Sequence, residues 1–556
     1  MKTIIYQTFP RLFGNFNKKL VKDGSISQNG CGKFNSYTDK VLYAIRDLGI
    51  THLWYTGVIR HATCTDYSAF GLPKDHSAVV KGRAGSPYAI KDYYDVCLDL
   101  AEKIPERMAE FEALIKRTHD AGLKVIIDFV PNHVSRSYHS VMKPQYIEDL
   151  GQTDRTNRAF APMNNFYYLP GQSLELNIEE PEEDFEYSEF PAKATGNDCF
   201  KAVPGYNDWY ETVKLNYGVN YQNHHKKYFT PVPDTWEKML DILLFWTGKD
   251  VDGFRCDMAE MVPVEFWNWV IPRVKSRKNV KFIAEIYNPQ LYRDYINIGC
   301  FDYLYDKVKM YDTLRAIISG QLGTGVLDSC WQTTSDIQKN MLYFLENHDE
   351  QRIASDFFAG KPETAIPAFA YITFLNINPV MIYNGQELGE RGMDKEGFSG
   401  RDGKTSIFDY WSMETVRNWA NTGKFDGKNL SKAQRELREA YKQILTFANQ
   451  EKALYSGNFY GLDFCNGYSS DKITAFLRKF ENELLLVVIN FDDKEHEATI
   501  NVPHNAFDVL DIKDNTVSEM TNLLSGEKTV SALTQYSPYY VKVPALSYNL
   551  LKFRLL

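Results

Sequence analysis

From the first residues to about residue 384, short apolar runs alternate with longer amphipathic stretches, and this rhythm predicts strands and helices in strict succession. The strands fall at 3–7, 51–55, 124–129, 253–257, 282–286, 303–307, 341–346 and 379–384. Eight strands separated by mostly helical patterns predict a closed parallel barrel, a (β/α)8 TIM barrel, rather than an open sheet. The unit before the third strand shows the logic. Phe111, Leu114, Ile115 and Thr118 recur at helical spacing, and Gly122 stands where a left-handed cap would end the helix. Val125-Ile126-Ile127 then has the continuous apolar character of a strand buried on both faces.

Two stretches break the rhythm. About a hundred residues more than one crossover connection needs lie between the third and fourth strands, predicting a small inserted domain over 134–230. It contains the acidic run Glu179-Glu180-Pro181-Glu182-Glu183-Asp184-Phe185-Glu186, expected to be a solvated loop, and the aromatic, turn-rich Pro204-Gly205-Tyr206-Asn207-Asp208-Trp209-Tyr210. A helix over 234–246 resumes the barrel, which therefore comprises 1–133 and 231–449 and closes with a helical pattern over 432–449. From 450 to 556 the chain changes to short alternating runs, as at 473–477, 484–489 and 539–543, which predict a C-terminal antiparallel β-sandwich.

Composition narrows the function without naming it. At 556 residues the chain exceeds one ordinary core and suits a barrel plus further domains. A net charge of -9 supplies no basic stripe for a phosphate backbone, so nucleic acid is not an expected partner and a neutral substrate fits better. No stretch approaches the roughly 18 apolar residues of a membrane span. Met1-Lys2-Thr3-Ile4-Ile5-Tyr6 runs directly into the first strand without a signal-peptide core, which predicts a cytoplasmic protein, or a secreted or periplasmic one if a leader has been removed. Eight scattered cysteines, among them Cys97 and Cys256 in apolar segments, match neither a disulfide framework nor a zinc site and are expected to be reduced.

The chemistry resides in four segments whose apolar runs end in polar groups: Val125-Ile126-Ile127-Asp128-Phe129-Val130-Pro131-Asn132-His133, Gly253-Phe254-Arg255-Cys256-Asp257, Phe282-Ile283-Ala284-Glu285 and Phe344-Leu345-Glu346-Asn347-His348-Asp349. In a parallel barrel the C-terminal strand ends share one face, so these remote groups would meet in one pocket. Arg255 and Asp257 are two residues apart and so point to the same side, where the guanidinium is expected to keep Asp257 ionised. Glu285 closes the next strand, close enough to Asp257 for the pair of carboxyl groups, about 5 Å apart, that a retaining glycosidase uses.

Together these four segments resemble, in order and spacing, the signature strand ends of the α-amylase family, family 13 of the glycoside hydrolases. The resemblance implies Asp257 as nucleophile, Glu285 as general acid and base, and Asp349 as the third carboxylate, gripping hydroxyls of the distorted sugar. It implies that His133 and His348 hydrogen-bond the same sugar, that Arg255 lies beside it, and that Asp128 organises the site. Pro87-Tyr88-Ala89-Ile90-Lys91-Asp92-Tyr93 resembles the family segment whose tyrosine stacks on the reacting sugar, marking Tyr88 and, in the same segment, Asp92 as substrate contacts. Pro379-Val380-Met381-Ile382-Tyr383-Asn384-Gly385-Gln386-Glu387 resembles the family's eighth strand. Asn132 matches a calcium-associated position of many amylases.

Two departures qualify the resemblance. Asp257 is followed by Met258-Ala259-Glu260-Met261 rather than the lysine–histidine pair of calcium-dependent members, so the expectation is no required cofactor, with Asn132 the ligand if calcium binds. Val213-Lys214-Leu215-Asn216 resembles the lysine-containing motif of neopullulanase-like members. The expected activity is retaining hydrolysis of α-1,4, and in places α-1,6, links in starch-derived oligosaccharides. A transglycosidase of the same family, and a non-catalytic α-glucan-binding protein on the same barrel, are the competing readings. Oligomeric state stays open.

Overall fold

The structure is a computed structural model that describes residues 1–177, 186–466, 471–514 and 517–555. Eight parallel strands close into a barrel: β1 (Ile4–Thr8), β2 (His52–Tyr55), β3 (Lys124–Phe129), β4 (Gly253–Cys256), β5 (Lys281–Ala284), β6 (Tyr303–Tyr305), β7 (Met341–Phe344) and β8 (Val380–Tyr383), with β8 paired back to β1. Alternation along each strand sorts its side chains. Ile5, Trp54, Ile126, Ile283, Tyr305, Leu342, Phe344 and Met381 fill the barrel interior. Val125, Ile127, Phe254, Phe282, Leu304, Tyr343 and Ile382 point outward into the core shared with the helices.

The helix Arg107–Asp120 buries Phe111, Leu114, Ile115 and Thr118. Gly122 (φ 80°) ends it, with the Gly122 N–H on His119 O at 2.8 Å and the Leu123 N–H on Thr118 O at 3.1 Å, the paired bonds of a Schellman cap. The helix Lys432–Gln450 starts on a Ser431/Gln434 capping box and buries Leu437, Tyr441, Ile444, Leu445 and Ala448 along one stripe.

Most barrel strands are shorter than their apolar runs imply, and at β6 and β7 the cause is visible. After Tyr305 the chain turns into a π-helical segment, Lys307–Tyr311, where the Tyr311 N–H bonds Asp306 O at 3.1 Å and takes the backbone out of the sheet. β7 ends at Phe344 because Glu346 is drawn to Arg352 (2.9 Å) and the Ile353 N–H (2.7 Å).

Between β3 and β4 the chain forms short antiparallel pairs, His133–Ser135 with Thr212–Lys214, Tyr168–Leu169 with Ala192–Lys193, and Val219–Asn220 with Lys226–Lys227, before the helix Asp234–Gly248 rejoins the barrel. The acidic run lies outside the described residues except Glu186. Beyond the barrel, β9 (Asn458–Gly461), β10 (Ile473–Phe480), β11 (Glu483–Asn490), β13 (Val517–Asn522), β14 (Lys528–Ala532) and β16 (Ser547–Arg554) form one antiparallel sheet. β12 (His496–Ile500) pairs with β15 (Tyr539–Val543) in a second. Leu484, Leu486 and Val488 of β11 meet Ala498, Ile500, Val541 and Val543 in a core between the two sheets. The opposite residues of β11, Leu485, Val487 and Ile489, belong to the core of the barrel. All eight cysteines are free thiols, and among the described residues no helix is long and apolar enough to cross a membrane.

Candidate active site

Strand alternation builds the floor of the site. Arg255 is level with Asp128 on β3 and Ile283 on β5, so two residues further along β4 and β5 the inward positions fall to Asp257 and Glu285. The buried Arg255 guanidinium bridges the two carboxylates, with Nη1 2.6 Å from Asp257 Oδ1 and Nη2 2.7 Å from Glu285 Oε1. Asp128 Oδ1 lies 3.7 Å from the same Nη1, and the ring centroids of Trp54, Tyr88 and Tyr305 surround the guanidinium at 5.3, 5.3 and 5.5 Å. Glu285 is pinned at both oxygens: Oε2 accepts from the Met258 N–H at 2.8 Å and Oε1 from the Tyr287 hydroxyl at 2.7 Å. Met258 adopts the left-handed conformation (φ 42°), which aims its N–H back at Glu285.

Asp257, Glu285 and Asp349 line one cleft of about 330 Å3, together with Tyr88, His133 and His348. His348 joins the elements: its Nδ1 lies 2.8 Å from the Gln7 amide, while Nε2 faces the Tyr88 hydroxyl and Asp349 Oδ2 at 3.2 Å. The Tyr88 ring stacks on His348, with centroids 5.1 Å apart and planes at 27°. Burial, reinforced by Arg255 for His348 and by Lys214 and Lys81 for His133, pushes both imidazoles down to about 3, so each is a neutral hydrogen-bonding group at ordinary pH.

The balance at Asp257 differs from the sequence expectation. Burial, with Glu285 and Asp349 close by, pushes Asp257 well above the usual carboxylate range, and Arg255 offsets only part of this. One guanidinium is shared among Asp257, Glu285 and Asp128, so it cannot neutralise each in full. Burial likewise raises Asp349, and it raises Asp128 up to about 6.

Asp92 is not a wall of the cleft. It sits in the strand Ile90–Val96, paired with Ile59–His61, and its fully buried carboxylate accepts from the Ser140 hydroxyl at 2.5 Å and from the N–H groups of Tyr94, Val141 and Met142 at 2.9, 2.8 and 3.1 Å. With its oxygens spent on backbone donors it clamps the start of the insertion to the barrel. Asp92→Asn is expected to cost about 1–3 kcal/mol in urea unfolding, with KM unchanged in the folded enzyme. A raised KM at unchanged stability would return Asp92 to the substrate.

Asn132 also departs from its expected place as a calcium ligand. Its Oδ1 accepts from the Lys214 ammonium at 2.6 Å, its Nδ2 donates to Gly196 O at 2.7 Å, and the same buried ammonium lies 2.6 Å from Asp198 Oδ1. The oxygens that a divalent ion would need there already surround a cation belonging to the chain, so the residues around Asn132 do not fit calcium. Among the described residues no group of three or more His, Cys, Asp or Glu is arranged for a metal ion.

Several cleft residues escape sequence reasoning. Tyr287 was within reach of it, lying two positions beyond Glu285. Lys81, Trp209, Glu211, Ile407 and Phe408 were not, because they come from three loops that meet only in space.

A parallel barrel that holds two buried carboxylates on one guanidinium at its C-terminal mouth is the architecture of a glycosidase. The family described as "Alpha amylase, catalytic domain" matches residues 7–286, just over half of the chain. The chain belongs to the α-amylase family of glycoside hydrolases. "Alpha-amylase 3" of Dictyoglomus thermophilum is 24% identical over 567 aligned residues, covering 97% of this chain and 93% of that protein. A cyclomaltodextrinase of Thermoanaerobacter pseudethanolicus is 20% identical, covering 92% and 74%. Among solved structures, the maltogenic α-amylase AmyB of Thermotoga neapolitana superposes with a TM-score of 0.63 at 19% identity over 100% of this chain and 99% of its own, a likeness of fold.

Proposed function

We propose that this enzyme is a retaining α-glucan hydrolase that cleaves α-1,4, and in places α-1,6, glucosidic bonds of starch-derived oligosaccharides through a covalent intermediate on Asp257. The observation that carries the reading is the Arg255 bridge, which holds Asp257 and Glu285 within the span of one guanidinium. A double displacement needs one proton between the pair, carried by Glu285 when Asp257 attacks. Ionised Asp257 attacks the anomeric carbon while Glu285 passes its proton to the departing glycosidic oxygen. Glu285 then takes a proton from the water that cleaves the ester, restoring both groups. Asp349 holds hydroxyls of the flattened ring, and neutral His133 and His348 hydrogen-bond the same sugar. Relatives named as α-amylase and cyclomaltodextrinase support α-glucans as the substrate class.

Incubation with maltoheptaose, cyclodextrin, pullulan, sucrose and trehalose tests the reading. Glucose or short maltooligosaccharides, released in retained α configuration, are the expected products. Longer products would identify a transglycosidase, inverted products would exclude the covalent route, and tight binding without turnover would identify a glucan-binding protein. Calcium is not required in this reading, because the Lys214 ammonium supplies the positive charge. Activity and melting temperature are expected to be unchanged by excess EDTA, and a loss restored by calcium would overturn this.

A further inference from the structure

The cleft is walled on one side. Its arc is built from the loops that follow β2, β3 and β8, which are tied together across the top of the barrel. The Ala84 N–H donates to Phe408 O at 3.0 Å, and Gly82 (φ 63°) packs so closely there that a Cβ would lie 2.3 Å from Phe408 O. Beneath them the buried Arg11 guanidinium donates to Ala84 O at 3.0 Å and Ile407 O at 2.7 Å. The insertion joins the wall through Tyr206, stacked on Phe398 at 6.1 Å. Facing the cleft in this wall is an ion pair, Lys81 Nζ to Glu211 Oε2 at 3.0 Å, with side chains only 11% and 5% exposed.

A buried ion pair loses much of its attraction to desolvation, and a well-packed apolar pair would serve the wall as well or better. A pair that faces a sugar site has another use. Vicinal sugar hydroxyls both donate and accept, so one can donate to the carboxylate while its neighbour accepts from the ammonium. The side is fixed by the proton donor. Met258 and Tyr287, which bond Glu285, follow β4 and β5, whereas the wall is built from the loops after β2, β3 and β8, so the leaving group departs on the β4–β5 side and the walled side receives the glycone.

We propose that Lys81 and Glu211 close the glycone side of the cleft and hold the outward hydroxyls of a terminal sugar, so that the enzyme cuts α-glucans from the non-reducing chain end rather than within the chain. This rests on the hydrolase reading above. Burial holds the Glu211 carboxyl above its usual range, and Lys81 offsets part of that rise. An internal sugar could be seated only by carrying its chain through the wall.

The test compares two aryl maltoheptaosides, one with a free non-reducing end and one whose terminal 4- and 6-hydroxyls are blocked as an ethylidene acetal. The free substrate is expected to be cleaved and the blocked one at least about 100-fold more slowly, because a site built to bond hydroxyls rejects their blocked form. Cleavage of both within a few-fold would overturn the proposal. The double variant Lys81→Met, Glu211→Met leaves neither charge unpaired. It is expected to lower kcat/KM on maltotriose about tenfold or more, chiefly through KM, with melting temperature retained. Unchanged kinetics in that variant would remove the two residues from sugar binding. Glu285→Gln assayed alongside on maltotriose, whose leaving group is a sugar, separates the failures: if it cleaves maltotriose as the parent does, the hydrolase reading falls, whereas a silent Glu285→Gln beside rapid cleavage of the blocked substrate by the parent sinks only the chain-end proposal.

Discussion

Asp257→Asn is expected to lower kcat by about 10³-fold or more, and Glu285→Gln by about 10²–10⁴-fold, with neither protein losing its fold. The amide that replaces the Asp257 carboxylate is isosteric with it and still meets Arg255, but it cannot form a glycosyl ester at a useful rate. The amide that replaces the Glu285 carboxyl keeps the hydrogen-bonding shape of the acid without a proton to give. The two defects differ in substrate dependence. An aryl glycoside with a good leaving group needs little protonation, so it is expected to recover much of the first step in Glu285→Gln and little in Asp257→Asn. Steady-state rates on maltotriose and on such an aryl glycoside, with circular dichroism as the check on folding, measure this. Near-normal kcat in either variant would remove that residue from the chemistry.

Arg255→Leu is expected to have the second largest effect, for an electrostatic reason. The guanidinium is fully buried and is the one cation in direct contact with Asp257, Glu285 and Asp128 among the described residues. Its removal leaves three carboxyl groups in a dry pocket without a counter-charge. Breaking a buried ionic group in this way costs about 3–5 kcal/mol. The carboxyl groups are expected to answer by holding protons more tightly, because Arg255 is the neighbour that lowers the pKa of both Asp257 and Asp128. Asp257 must be ionised to attack, so any residual activity is expected to have its acidic limb moved to higher pH than in the parent. Thermal melting and the pH dependence of kcat/KM read the two consequences separately. An unmoved limb with normal stability would mean that the guanidinium does not govern these carboxylates.

Much of the site is legible in the sequence. Alternation with period two places Arg255 and Asp257 on one side of β4 and carries Asp128 and Glu285 to the same mouth, because a strand cannot turn every second side chain elsewhere. Eight apolar runs interleaved with helical ones leave few closed arrangements other than a parallel barrel, and Gly122 marks a helix end because its left-handed backbone favours glycine. These are local rules, and a local rule can be read from a local stretch of chain.

What the chain could not disclose alone depends on distances between segments remote in sequence. Asp92 stands four residues from Tyr88 and shares its motif, yet its carboxylate turns to the backbone of Val141 and Met142, a choice set by where the insertion begins its path. Asn132 carries the right oxygen for calcium, but Lys214, 82 residues later, reaches it first. The wall of Lys81, Glu211 and Phe408 exists because three loops converge on one rim. Burial, too, is a property of the assembled molecule, and it pushes Asp257 upward where Arg255 alone would pull it down. Sequence by itself determined the barrel and which carboxylates stand at its mouth, since periodicity dictates direction. Tertiary structure alone decided which polar groups remain available to a substrate, since that depends on what else comes close enough to bond them first.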